Sequence, residues 1–436
     1  MYKTTRFAGL AALLIFAASS LMADYTLSGA IATARESSPD AQAAEARVAQ
    51  ARAVQQGADS AILPRIQVQS RYMQTNSAMN AFGAILNTGT FDNSIDFNSP
   101  GQTDLLSTGI YVVQPIYTGG RISSGRAAAR AGSEAAEYAR ESALRALDLE
   151  VARAYFGIRQ AADSVIALEA ALTGYDESLR VAKEREEAGQ LLRTERLNIE
   201  VQRARTKSML LAARQQVDLA KSAFAVLLGL PADSSVTLAE SDPQVESLRE
   251  PPVGMASPEW PELAAMQSRV KAAEEGVKIA KAARRPSVGA FANVEDNRGW
   301  RRDGDEQSWT AGLSVSMTLY DGSETGAKIR EAMAYVDEAK EQQRKLRLGL
   351  ELRLRQAQIN YDVARSQLEV CTQQLEQAEE SAALSRERFS AGSLLSTELI
   401  GVETRLADAR VQLAFSRARV SLALCELRNA YGLRIV

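Results

Sequence analysis

Two eight-residue stretches hold the side chains with the clearest chemical potential. Ala188-Gly189-Gln190-Leu191-Leu192-Arg193-Thr194-Glu195 recurs, 203 residues later, as Ala391-Gly392-Ser393-Leu394-Leu395-Ser396-Thr397-Glu398. In each, Gly supplies a left-handed helix C-cap, Thr stands where it would cap the next helix, and Glu falls in that helix's first turn. The chemistry on offer is non-covalent: a tight turn, an apolar Leu-Leu contact, and a carboxylate that attracts cations. Covalent chemistry has little to work with. The 436 residues include no His, which removes Ser-His-Asp and Cys-His catalysis and His-ligated metal sites. Two cysteines, Cys371 and Cys425, can build neither a disulfide framework nor a four-Cys zinc site. There is no phosphate-binding loop, so no enzyme activity and no cofactor are expected. With 51 Lys+Arg against 54 Asp+Glu, the net charge of −3 gives no electrostatic case for nucleic acid.

The elements that would position these tips are long helices. No Pro occurs between Pro115 and Pro231, nor after Pro286. The stretch from Arg121 to Ala188 can therefore run as one helix of about 100 Å at 1.5 Å per residue. Leu144, Leu147, Val151, Ala154, Ile158, Ala161, Val165, Leu168, Leu172, Tyr175, Leu179 and Ala182 alternate steps of three and four, which is a heptad seam with many small members. A second seam runs through Leu354, Ala357, Tyr361, Ala364, Leu368, Cys371, Leu375, Ala378 and Ala382. Cys371 then reads as a packing residue, and Cys425, on another helix, is too far away for a disulfide.

The tips belong to a larger duplication. The same offset carries Tyr117-Thr118-Gly119 onto Tyr320-Asp321-Gly322 and Gly229-Leu230 onto Gly432-Leu433, while Pro39 and Pro64 match Pro261 and Pro286 at an offset of 222. One length change must fall between Pro64 and Tyr117. The chain divides into an export signal at 1–23, a first repeat at 24–230, a Pro-rich linker at 231–258 and a second repeat at 259–436. The signal has Lys3 and Arg6 before the apolar run Phe7–Ala18, which is too short to span a bilayer as a helix.

Each repeat reads helix, two strands, long helix, tight turn, helix, with strands at about 65–75, 106–118, 286–294 and 308–320. Trp309, Ala311, Leu313, Val315, Met317 and Leu319 alternate with Ser308, Thr310, Gly312, Ser314, Ser316 and Thr318. An apolar face opposite a small polar face suits a strand between lipid and a watery lumen, and its length suits the about 9–11 residues of a membrane strand. Ile66, Val68 and Tyr72 oppose Gln67, Gln69 and Arg71 in the same way. Asn76–Asp104 and Glu295–Gln307 read as polar connections on the far side, and Arg65, Arg121, Arg285 and Lys328 flank the strand ends on the helical side. Four strands cannot close a barrel, and an open edge is not tolerated in lipid. Two, three or four chains would be needed, giving eight, twelve or sixteen strands.

The duplicated units, with Leu63-Pro64-Arg65 entering a strand and Gln114-Pro115-Ile116-Tyr117-Thr118-Gly119-Gly120 leaving one, together resemble the TolC-type outer-membrane efflux proteins over the whole of 24–436. The resemblance implies an α+β membrane protein. It would be a homotrimer in outer-membrane lipid, with a twelve-stranded barrel, four strands per chain, and a long helical tunnel across the periplasm. It implies passive export, energised by an inner-membrane pump of proton-driven or ABC type and coupled by a periplasmic adaptor. By position, the tips at Ala188–Thr194 and Ala391–Thr397 would contact the adaptor, and Glu398 and Glu195 would lie at the periplasmic entrance. A second acidic position of the family falls on Gly401, and the Arg of its second tip on Leu394. The linker, with the chain ends, would form a belt around mid-tunnel. Two alternatives stand beside this reading: the outer-membrane component of type I protein secretion, and an exported coiled-coil scaffold.

Overall fold

The computed structural model describes residues 24–251 and 259–435. The expected signal at 1–23 and positions 252–258 of the linker lie outside the described residues. In chain order the elements are β1 (Asp24–Tyr25), α1 (Leu27–Ser37), α2 (Pro39–Asp59), β2 (Arg65–Thr75), α3 (Ala78–Asn87), β3 (Thr103–Thr118), α4 (Arg121–Glu187) and α5 (Arg193–Leu227). Then follow β4 (Thr237–Leu238), α6 (Pro243–Glu246), α7 (Pro261–Ala282), β5 (Ser287–Gly299), β6 (Gly304–Ser316), α8 (Glu324–Ser390) and α9 (Ser396–Ala430).

Pro39 and Pro261 each open a helix, where the missing N–H would have had no partner. Good helix formers and the absence of internal Pro let α4 and α8 run for 67 residues each, while α5 and α9 run for 35 each. Every member of the two expected seams is buried or half-buried. Both cysteines are free and buried. Desolvation pushes the Cys425 thiol up to about 12, so almost no thiolate is present at neutral pH to enter disulfide exchange.

The four long strands form one antiparallel sheet in the order β2-β3-β5-β6. The register puts Val68, Ile110, Val294 and Trp309 in one row across all four strands, each of them more than half exposed. The next rows on the opposite face are Gln69, Gly109, Glu295 and Ser308, then Gln67, Tyr111, Asn293 and Thr310. Side chains alternate between faces, so the sheet has one apolar and one polar surface. Tyr111 Oη donates to Glu295 Oε1 at 2.9 Å on the polar side.

Strand boundaries differ from those expected. β5 continues to Gly299 instead of ending near Val294, and β6 spans 304–316 instead of 308–320. The stretch 295–307 is therefore mostly ladder, with a turn at 300–303 only. Its polarity misled because Asp296 and Arg298 make even the outer face hydrophilic at that end. The ladder stops at the Ser287–Ser316 pair because the next partner would be Pro286, which has no N–H to give. In the first repeat β3 starts at Thr103, and the connection before it contains α3. That insertion sits where the two repeats differ in length.

Midway along the helices the linker and the chain start pack together. β1 pairs in parallel with β4, and buried Asp242 accepts from Leu27 N at 2.7 Å and from Tyr155 Oη at 3.2 Å. Arg35 makes a two-pronged contact with Asp148 at 2.8 and 2.5 Å. Trp260 Nε1 donates to Ala430 O at 2.8 Å. Among the described residues no helix is long and apolar enough to cross a membrane.

Candidate functional site at the helical tips

Both tips use the same backbone solution. After α4, Gly189 takes φ 73°, and Gln190 N donates back to Arg185 O at 2.8 Å; after α8, Gly392 takes φ 82°, and Ser393 N donates to Arg388 O at 2.9 Å. These left-handed caps satisfy carbonyls that the helix end leaves open. Ala188 and Ala391 are the last residues before the turns. The chain then extends through Leu192 or Leu395 into the next helix.

The expected Thr caps are not formed. Leu192 and Leu395 occupy the cap positions, neither makes a side-chain cap bond, and Thr194 and Thr397 lie inside the first turns. Each helix starts two residues earlier than a Thr cap would set it. The Leu-Leu pairs also divide. Leu191 is 9% exposed and Leu394 packs beside it in one cluster with Tyr175, Ile199, Phe389 and Leu399, whereas Leu192 and Leu395 are 71% and 57% exposed. Each tip therefore exposes one leucine and not the pair. The inner leucine of each tip joins the two hairpins; the outer one projects.

The two tips break the symmetry of the duplication at their base. In the first, Arg196 bridges Glu186 and Glu200. The matching positions of the second are Leu399, Phe389 and Glu403. Phe389 takes the Arg185 guanidinium over its ring at 4.9 Å, and Phe389 O accepts from Arg185 Nη1 at 2.7 Å. An Arg from the first hairpin therefore clasps the second, although the position that lacks the family's Arg is Leu394. Arg185 was not singled out from sequence; the available signal was a cation in the last turn of a helix, which is common.

Glu403 was missed as well. It is 2% exposed and receives two bonds from Arg386, at 2.5 and 2.7 Å. The hydrogen-bonded carboxylate holds the Arg386 guanidinium above its usual range. Gly174 of α4 lies over this pair: a Cβ there would approach Glu403 Oε2 to 3.2 Å and Arg386 Nη2 to 3.3 Å. Beside it, Tyr175 Oη and Thr404 Oγ1 share a hydrogen bond of 3.0 Å. The ion pair thus ties α8 to α9 under the Gly174 window, and the Tyr–Thr bond ties α4 to α9.

Glu398 is exposed, half-exposed Gly401 follows one turn later, and Arg405 Nη1 lies 3.7 Å from where a Gly401 Cβ would be. Glu195 is half-buried in the first turn of α5. Spacings of three and four place Glu398, Gly401 and Arg405 on one face of α9, so that face carries mixed charge. Gln190 and Ser393 are exposed in their turns. Among the described residues no group of three or more His, Cys, Asp or Glu is placed to hold a metal.

Comparison with known proteins supplies the wider context. The family model for outer membrane efflux proteins matches residues 30–230 and 254–433. The outer membrane efflux protein BepC of Brucella suis biovar 1 (strain 1330) is 27% identical over 253 residues, 55% of this chain. That match spans about half the length of the curated relative, 50%. Among solved structures, the outer membrane protein VceC of Vibrio cholerae superposes with a TM-score of 0.77 at 18% identity, covering 94% of this chain and 97% of its own. A membrane protein from Pseudomonas aeruginosa gives 0.79 at 17% identity, covering 95% of each chain. The CmeC outer membrane channel of Campylobacter jejuni gives 0.76 at 15% identity, covering 93% of this chain and 85% of its own. At these identities the structural likeness speaks for the fold, and the family match covers both repeats. The chain belongs to the outer membrane efflux protein family.

Proposed function

We propose that three copies of this chain form an outer-membrane exit duct, in which twelve strands close a barrel and the long helices continue it as a tunnel across the periplasm. The observation that carries this is the four-stranded sheet, apolar on one face, polar on the other, and unpaired along β2 and β6. Unpaired backbone groups cost several kcal/mol each in lipid, so the edges call for neighbouring copies. The coiled-coil scaffold reading gives no reason for a surface row such as Val68, Ile110, Val294 and Trp309. Export is passive in this reading; an inner-membrane pump supplies energy and a periplasmic adaptor docks on the tips. Cells lacking the chain should accumulate a pump substrate, and restoring it should clear that substrate. Accumulation that is unchanged by deletion, with the pump and adaptor present, contradicts the duct.

Glu398 is assigned to the periplasmic mouth. It is exposed and forms no ion pair among the described residues, and three copies around one axis would concentrate negative charge. Glu398→Ala is expected to raise single-channel conductance and to weaken block by divalent or trivalent cations added from the periplasmic side. Glu195→Ala should change block less. Planar-bilayer recordings decide it: unchanged conductance and block would leave Glu398 as a helix-start charge.

A further inference from the structure

The short helix α3 lies on the polar face of the sheet. A Cβ on Gly304 would come within 2.1 Å of Thr90 Cγ2 and 2.4 Å of Thr88 O, and one on Gly299 within 3.3 Å of Thr88 Cγ2. A Cβ on Gly89 would lie 3.2 Å from Glu306 Oε2. Gly299 shares its strand face with Glu295, and Gly304 and Glu306 share theirs with Ser308 and Thr310, because alternate residues point the same way. Leu105, two residues before Ser107 on that face, is buried. The end of α3 and the turn after it are therefore seated on the side opposite Trp309 and Leu313, at the end of the sheet far from the helices.

Ala81, Ala84 and Ile85 make the buried stripe of α3. Its other stripe is Met79, Gly83 and Leu86, spaced four and three. Met79 is 81% exposed and Leu86 is 48% exposed, and a Cβ on Gly83 would meet nothing within 4 Å. Phe82 packs edge-on against Phe91 and at a tilt against Phe97, with ring centroids 5.8 and 4.6 Å away. A single protomer thus aims an apolar helix face, with a glycine at its centre, into what the duct reading makes a watery lumen.

We propose that three copies of α3, one per protomer, meet on the barrel axis and close its outer end with an apolar constriction of Met79, Gly83 and Leu86. This rests on the trimeric-barrel reading. Twelve strands about 4.8 Å apart, tilted about 40°, enclose a circle of roughly 12 Å radius. A helix with its side chains is about 10 Å across, and each third of the wall carries one. The three helices have nowhere to lie except against one another. Gly83 gives the close approach that packing at an axis needs, and the exposed apolar side chains find partners in the other copies. The occupant of this face is a second and third copy of the same helix.

The test is Gly83→Cys in the full chain, a substitution into open space that leaves the buried stripe untouched. The native thiols are buried, and the unsubstituted protein serves as the control for them. Mild oxidation of protein in its membrane should give a reducible two-chain band on a denaturing gel, because only two of three cysteines around an axis can pair. The same sample is weighed by native mass spectrometry. A trimer with the two-chain band in the variant and not in the control supports the constriction. A trimer that gives no reducible pair overturns the constriction and leaves the duct standing. A monomer overturns both.

Discussion

Replacing Arg386 with Ala is expected to loosen α8 from α9 in the second hairpin, and with them the surface on which Gly174 and Tyr175 of the first hairpin rest. The change leaves Glu403, 2% exposed, with a buried charge and no cation beside it. Breaking a buried pair costs about 3–5 kcal/mol; because Arg386 is 41% exposed, roughly 3 kcal/mol is the better expectation. That corresponds to about two orders of magnitude in an opening equilibrium. Hydrogen exchange should rise along both hairpins near Gly174, Tyr175 and Thr404, and single-channel conductance should increase. Adding Glu403→Gln removes the stranded charge and should recover much of the loss, which separates charge from packing. Exchange rates unchanged by Arg386→Ala would show that the pair does not hold the second hairpin in place against the first.

The second large effect is expected at the projecting leucines. Leu192→Asp combined with Leu395→Asp should abolish export while trimer and barrel stay intact. Each exposed Leu would contribute about 1.5–3 kcal/mol if fully buried against a partner. Losing both should weaken adaptor binding by well over tenfold. The inner leucines behave differently. Leu191→Asp or Leu394→Asp puts a carboxylate into the cluster around Tyr175 and Phe389, so these variants should disrupt the tips themselves and be visible in exchange or thermal melting. Normal export and adaptor binding by the Leu192 and Leu395 double variant would remove the tips as the docking surface.

How much of this was legible in the sequence follows from which signals are periodic. The heptad seams emerge as buried or half-buried positions because steps of three and four survive any local irregularity. The alternation around Trp309–Val315 marks the lipid-compatible face for the same reason. Strand ends were less legible: the outer end of the β5–β6 hairpin is polar on both faces, and Pro286 acts on the partner strand, out of reach of a local pattern in β6. Helix α3 hid inside a connection because it is only ten residues long and apolar nearly all round, so no period stands out. At the tips the repeat itself concealed the site. Matching Leu191-Leu192 to Leu394-Leu395 made the leucines look equivalent, whereas packing of one tip against the other buries the first of each pair. Arg185, Arg386, Glu403 and Gly174 come together from three helices, and no spacing within one helix announces them.

Current through purified protein in a planar lipid bilayer tests the central claim most directly. Protein shown by circular dichroism to be folded should insert and give discrete, single-sized conductance steps. Those steps should be small in the unsubstituted protein, in which Arg185 clasps the second hairpin and the Arg386–Glu403 pair ties that hairpin's own helices together, and larger in Arg386→Ala. Folded protein that inserts but gives no steps, in either form and at any concentration, would contradict a duct through the outer membrane.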